Sequence, residues 1–162
     1  MNTVQMNCEI SRPCEKYKIY DSTLTYNRER HFSTAKIREL DELEFHSISD
    51  ETLNVMMEYF EELGDMGYFD DDYDIEYSDG VLTVKLGGNK GTYVINKQTP
   101  NRQIWLSSPT SGPKRYDFTE SDGWIYRHNG ISLHELLTEE ISDVIGQSVS
   151  FTDLQYGGGT KI

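Results

Sequence analysis

Residues 77–86 read Tyr-Ser-Asp-Gly-Val-Leu-Thr-Val-Lys-Leu (YSDGVLTVKL). Asp79-Gly80 is a strong hairpin signal, because the two-residue turn that matches strand twist needs positive φ at both central positions. Downstream of it Leu82, Val84 and Leu86 alternate with Thr83 and Lys85. Strand side chains point to opposite faces with a period of two. The apolar set therefore faces a core and the polar set faces away.

Working outward, the same alternation recurs. Tyr73–Tyr77 precedes the turn. Val81–Leu86 ends at Gly87-Gly88-Asn89, Thr92–Lys97 at Thr99-Pro100-Asn101, and Arg102–Ser107 at the loop from Pro109 to Pro113. Arg115–Phe118 and Trp124–Arg127 complete the set. Turn signals every eight to twelve residues predict an antiparallel meander. The Gly87-Gly88 and Gly91 group lies between strands and not before a helix, so it reads as a turn and not as a phosphate cradle.

Two helical segments flank the strands. Residues 41 to about 65 carry Leu53, Met56, Phe60 and Leu63 at spacings of three, four and three, one apolar stripe. Ser49 is a candidate N-cap if the regular helix starts late, and Gly64 and Gly67 mark its end. The second helix runs from about Ser132 to Val144, opening on the capping-box pair Ser132 and Glu135. Its apolar face is Leu133, Leu136, Leu137 and Ile141, and His134 is expected at the helix surface or core edge. Val149, Phe151, Leu154 and Tyr156 supply enough apolar surface for the tail to pack back. Both helices must bury a stripe, and the simplest solution is an α+β two-layer sandwich. Both then lie on one face of a single antiparallel sheet.

The other sheet face then meets water or a partner. By parity it carries Asn96, Gln98, Gln103, Trp105 and Arg115. Trp and Arg amid polar neighbours are the residue types that dominate binding hot spots. Either a partner docks on this indole, or the tail or a loop covers it.

Charge is unevenly distributed. The 162 residues hold 28 acids and 15 bases, a net charge of -13, which argues against nucleic acid or an anionic membrane as partner. Asp41–Asp79 contains 15 acids and neither Lys nor Arg. Glu51, Glu58, Glu62 and Asp65 share one helix stripe, with Glu61 beside it and Asp50 near its start. Like charges at i, i+4 repel by a few tenths of a kcal/mol per pair. A bound cation would relieve that repulsion; plain solubility is the other reading. Carboxylates suit hard ions such as Mg, Ca, Mn and Fe. Glu42 and His46, four apart, could share an ion. Asp70, Asp72 and Asp74 imitate a calcium loop, but Ile75 stands where its glycine must be. No Glu-x-x-His pair supports a di-iron centre, and no nucleophile–base arrangement appears, so no catalytic residue is assigned. Any metal site here should be shallow, exposed and weak.

The only cysteines are Cys8 and Cys14, which leaves the rest of the chain without a disulfide framework and suits a reducing compartment. Residues 1–32 hold five bases and four acids with scattered Ser and Thr. Arg30-His31-Phe32-Ser33 resembles a mitochondrial processing site, so this segment is expected to be an import peptide rather than a plain disordered tail. A flexible linker is expected over 33–39, the domain over 40–156, and a flexible end over 157–162. No apolar run approaches the ~20 residues of a membrane helix.

The stretch GVLTVKLGGNKGTYVINKQTPNRQIWLSSPTSGPKRYDF (residues 80–118), followed by SLHELL (132–137), closely resembles the frataxin family. The similarity covers about Leu40 to Tyr156. It implies the two-helix, one-sheet sandwich and a mitochondrial matrix location. It also implies weak Fe(II) and Fe(III) binding along the first-helix acids, and activation of the cysteine desulfurase–scaffold complex that builds iron–sulfur clusters. Iron supply to haem synthesis through ferrochelatase, storage in iron-driven oligomers of an otherwise monomeric chain, and a ferroxidase activity are also implied. The family's metal positions match Glu42, Asp50, Glu51, Glu58, Glu61, Glu62, Asp65, Asp72 and Asp74. His46 and Asn54 stand where animal relatives are usually acidic, and His46 is a candidate softer ligand. The family's partner-contact positions match Asn96, Gln98, Gln103, Trp105 and Arg115.

Overall fold

The side chain of Asp41 starts the first helix. It accepts from the Glu44 N–H at 2.8 Å, while Glu44 reaches back to the Asp41 N–H, a complete capping box. In this computed structural model, which describes residues 36–158, helix α1 spans Glu42–Asp65. Ser49 is therefore not a cap. It lies buried mid-helix, donating to the Phe45 carbonyl at 2.6 Å.

Strands β1 (Asp74–Ser78), β2 (Val81–Lys85), β3 (Thr92–Gln98), β4 (Gln103–Ser108), β5 (Gly112–Thr119) and β6 (Gly123–Tyr126) follow. Helix α2 (Leu133–Ile145) closes the order. The strands form one antiparallel sheet in sequence order, β1 to β6. Asp79 (φ 53°) and Gly80 (φ 76°) both take the left-handed region, as the β1–β2 turn requires. The loop expected from Pro109 to Pro113 is shorter, since Pro113 already pairs with Ser107 in the ladder.

The two helices cover one sheet face. Phe45, Leu53, Met56 and Phe60 of α1 and Leu133, Leu137 and Ile141 of α2 are fully buried. So are Leu82, Val84, Tyr93, Ile95 and Ile104 from the inner face of the strands. Two polar bonds tie the layers together. The Trp124 indole donates to Thr52 Oγ1 at 3.0 Å, and the Tyr93 hydroxyl donates to Glu140 at 2.9 Å. Glu140 also accepts from Ser108 at 2.6 Å, so this buried carboxylate is satisfied. With burial as the main cause, the Tyr93 hydroxyl is pushed up to about 12.

The tail packs back as expected. Phe151 is buried with its ring centre 4.9 Å from that of Tyr59 and 5.0 Å from that of Phe60. The tail lies over His134, which is fully buried and not at the surface or core edge. The reason is positional: α2 is covered by the sheet on one side and by residues 149–156 on the other, so its apolar zone is wider than its Leu/Ile stripe.

Both ends of the domain extend beyond the expected limits. Arg38 N–H donates to the Phe118 carbonyl at 3.1 Å, and Ile37 forms a bridge with Thr119. The part of the expected linker at 36–39 is thus tied to β5 instead of free. Gly157, expected to fray, is buried and donates to the Leu154 carbonyl at 3.0 Å. The expected import peptide and its processing site lie outside the described residues.

Candidate functional site

The ladder register assembles the open face. Val81 pairs with Asn96, Asn96 with Trp105, and Trp105 with Arg115, so these share one row across β2–β5. Gln98 pairs with Gln103 in the next row. Continuing the register from Ile104 and Tyr116 sets Gln103 opposite Asp117. Trp105 stays partly exposed, and the described tail packs on the helix side instead of over it.

Trp105 is held from two directions. Its indole N–H donates to Gln103 Oε1 at 3.0 Å, and the Arg115 guanidinium lies over the ring at 4.4 Å. Gln103 in turn donates to Asp117 Oδ1 at 3.0 Å. Arg127 donates to both oxygens of Asp117, at 2.5 and 3.0 Å, and that bond holds the Arg127 pKa above its ordinary value. The result is a concavity of about 750 Å³ whose wall includes Asn96, Gln103, Trp105 and Arg115. The sequence reading missed Asp117 and Arg127. The signal was available for Asp117, because β5 alternation places it on the face of Arg115.

The acidic edge is less uniform than its spacing suggests. Glu58, Glu61, Glu62 and Asp65 are exposed on the last two turns of α1. No basic residue occupies that last turn, so the carboxylates face one another and the negative end of the helix dipole together. Asp74, brought from β1, joins them: with burial the larger cause, Glu61, Asp65 and Asp74 raise the pKa of Tyr73. Tyr73 donates to the Phe60 carbonyl at 2.8 Å, which docks β1 against this end of α1.

The remaining acids already have protein partners. Asp50 pairs with the Lys97 ammonium and sits 3.5 Å from the Tyr77 hydroxyl. Glu51 accepts from the Tyr156 hydroxyl at 2.8 Å. Asp72 accepts from the Gly88 N–H at 2.7 Å and meets Lys85 at 3.2 Å; the Gly88 bond, then Lys85, hold its pKa below the usual carboxylate range. A Cβ on Gly87 would lie 2.6 Å from Asp72 Oδ1, so this turn needs its glycine. At the helix start His46 Nε2 stands 3.9 Å from Glu42 Oε1. Among the described residues no three His, Cys, Asp or Glu side chains close on one point as a metal cage. The donor set fits a hard cation held by one or two carboxylates and completed by water.

Comparison with known proteins gives the family. A frataxin-like domain family model matches residues 38–147. A mitochondrial frataxin homolog of Drosophila melanogaster is 56% identical over 121 residues, covering 72% of this chain and 64% of the relative. A mitochondrial frataxin of Arabidopsis thaliana is 47% identical over 114 residues, covering 70% and 60%. The chain thus spans somewhat less than two thirds of these relatives' length. A trimeric frataxin of Saccharomyces cerevisiae, crystallised with ferrous iron, superimposes with a TM-score of 0.54 at 36% identity, covering 74% of this chain and 98% of that one. The relatives are named as mitochondrial, and this chain shares that localisation. None of its described helices is long and apolar enough to cross a membrane. With the helix–six-strand–helix order, the single sequential sheet and a match over residues 38–147, this chain belongs to the frataxin family.

Proposed function

We propose that this chain is an Fe(II)-binding activator of iron–sulfur cluster assembly in the mitochondrial matrix. It docks on a cysteine desulfurase–scaffold complex through the face around Trp105 and carries iron on the outer end of α1. The observation that carries this reading is the Arg115–Trp105 stack, held by Gln103 on a sheet face that no other described segment covers. An aromatic ring stiffened this way presents contact area with little ordering cost on binding. Docking favours one conformation of the complex, the one faster in sulfur transfer. The exposed Glu58, Glu61, Glu62 and Asp65 offer hard oxygen ligands with open coordination positions, which suits an ion that is to be passed on. The same cargo can serve ferrochelatase in haem synthesis.

The test is desulfurase turnover by the purified complex, with and without this protein and Fe(II). Stimulation by the wild type and its loss in Trp105→Ala, with an unchanged thermal transition, is the expected result. Equal stimulation by both proteins removes the sheet-face assignment.

A second reading, a ferroxidase that stores iron in oligomers, draws on the yeast relative that is trimeric and complexed with ferrous iron. It requires Fe(II)-dependent oxygen consumption that disappears when Glu58, Glu61, Glu62 and Asp65 are neutralised together and survives Trp105→Ala. Oxidation at the background rate of the buffer counts against it.

A further inference from the structure

Asp117 is the most buried charged side chain of the open face, with 10% of that side chain exposed. Its bonds do not run into the core. They go to Gln103 on β4 and to Arg127 just beyond β6. It therefore ties together side chains from three segments on the surface that carries Trp105. Burial of a carboxylate is unfavourable unless it is paired and hydrogen-bonded, and here all of its compensation comes from this face.

The chemistry of the donors and acceptors gives this chain of contacts a direction. A carboxylate only accepts, and an indole N–H only donates. Gln103, placed between them, must turn its amide nitrogen to Asp117 and its oxygen to Trp105. Without Asp117 only the indole N–H favours that orientation, and the amide nitrogen has lost its acceptor. The reversed amide would point N–H groups at the indole N–H, two donors with no acceptor.

We infer that Asp117 is the positioning residue for the docking indole: it orients Gln103, and Gln103 oriented this way fixes Trp105 for the partner. The inference rests on the docking role of Trp105 proposed above. Its structural half is independent of any partner. Arg127 braces the carboxylate through both oxygens, sharing Oδ1 with Gln103, and its exposed side chain completes the charge balance of Asp117.

The protein offers its own internal control. Its two indoles have different acceptors: Trp105 uses Gln103, and Trp124 uses Thr52 inside the core. Nitrogen–proton correlation spectra of the full chain resolve both indole signals, with Trp105→Phe giving the assignment. In Asp117→Ala the Trp105 indole proton is expected to shift and to exchange with solvent at least ten-fold faster. The Trp124 signal stays in place, which reports an intact fold. In Arg127→Gln the Trp105 signal is expected to remain where it is in the wild type.

The functional arm is titration of the reconstituted desulfurase–scaffold complex with each protein. Asp117→Ala is expected to need about ten-fold more protein for half-maximal stimulation, with the plateau retained. Asp117→Asn, which keeps an acceptor for Gln103, is expected to fall between it and the wild type. An unmoved Trp105 signal in Asp117→Ala overturns the inference, as does an equal shift in Arg127→Gln. Wild-type titration by Asp117→Ala, with Trp105→Ala inactive, also overturns it while leaving the docking role intact. If Trp105→Ala itself titrates like the wild type, the docking role fails, and the spectral change alone remains to be explained.

Discussion

The guanidinium carbon of Arg115 lies 4.4 Å from the ring centre of Trp105, across the β4–β5 ladder. The two residues are register partners, so the stack is built by strand pairing instead of by a loop.

Replacement of Arg115 by Lys keeps the charge and removes the planar stack, which an ammonium on a flexible stem does not reproduce. Thermal stability should change by about 0.5 kcal/mol or less, since the contact is exposed. Stimulation of the desulfurase complex should weaken, because the indole loses one of its two supports. A Lys variant with wild-type stimulation would show that charge alone matters at this position.

Neutralising the end of α1 should separate stability from iron binding. The combination Glu58→Gln, Glu61→Gln, Glu62→Gln and Asp65→Asn removes like-charge pairs at i, i+3 and i, i+4, together with charges set against the helix dipole. The expected gain is about 1 kcal/mol at low ionic strength, shrinking as salt is added. Fe(II) titration followed by calorimetry should show the loss of the tightest binding in the same variant. Increased stability with unchanged iron binding would move the metal elsewhere.

Asp50 should behave differently from those four. Its carboxylate is paired with the ammonium of Lys97, a side chain with only 15% of its surface exposed. In Asp50→Ala that cation loses its partner in a partly dry site, at a cost of about 1–3 kcal/mol. Iron affinity should fall less than in the α1-end variant. Denaturant unfolding and the same Fe(II) titration check both halves, and a stability equal to wild type would refute the structural assignment.

Acid should destabilise the protein through His134. The ring is fully buried, neither nitrogen closes a hydrogen bond among the described residues, and burial lowers its pKa from 6.5 to about 4, with the Gln155 backbone acting the other way. The folded state therefore keeps the ring neutral while the unfolded chain takes up a proton. The contribution is fully present above pH 6.5 and is lost as pH falls toward about 4. The gap corresponds to about 3 kcal/mol. Urea unfolding of wild type and His134→Leu at pH 7.5, 5.5 and 4.5 isolates it from the carboxylates. Parallel pH profiles for the two proteins would remove His134 as the cause.

Much of the architecture was readable along the chain because helices and strands are local in their patterning. The Leu53–Leu63 stripe, the Ser132–Glu135 cap, the Asp79-Gly80 turn and the alternation of β2 to β4 each need only a few neighbouring residues. Two amphipathic helices and one sheet then leave little choice of layer order. The outward placement of Asn96, Gln98, Gln103, Trp105 and Arg115 follows from strand parity, and the exposed end of α1 from the helical period of its apolar stripe.

Only the tertiary structure decided which of those side chains are free. Asp50 meets Lys97 and Glu51 meets Tyr156 from segments 47 and 105 residues away, so two of the six acids along an even-looking helix row are already occupied. Asp117 reaches Gln103 through strand register, a relation between two segments that neither segment carries alone. His134 sits inside because the tail folds over α2, and a three- or four-residue spacing says nothing about a cover arriving from the far end of the chain. Periodicity reports a residue's own element; partners, burial and charge compensation depend on how elements meet.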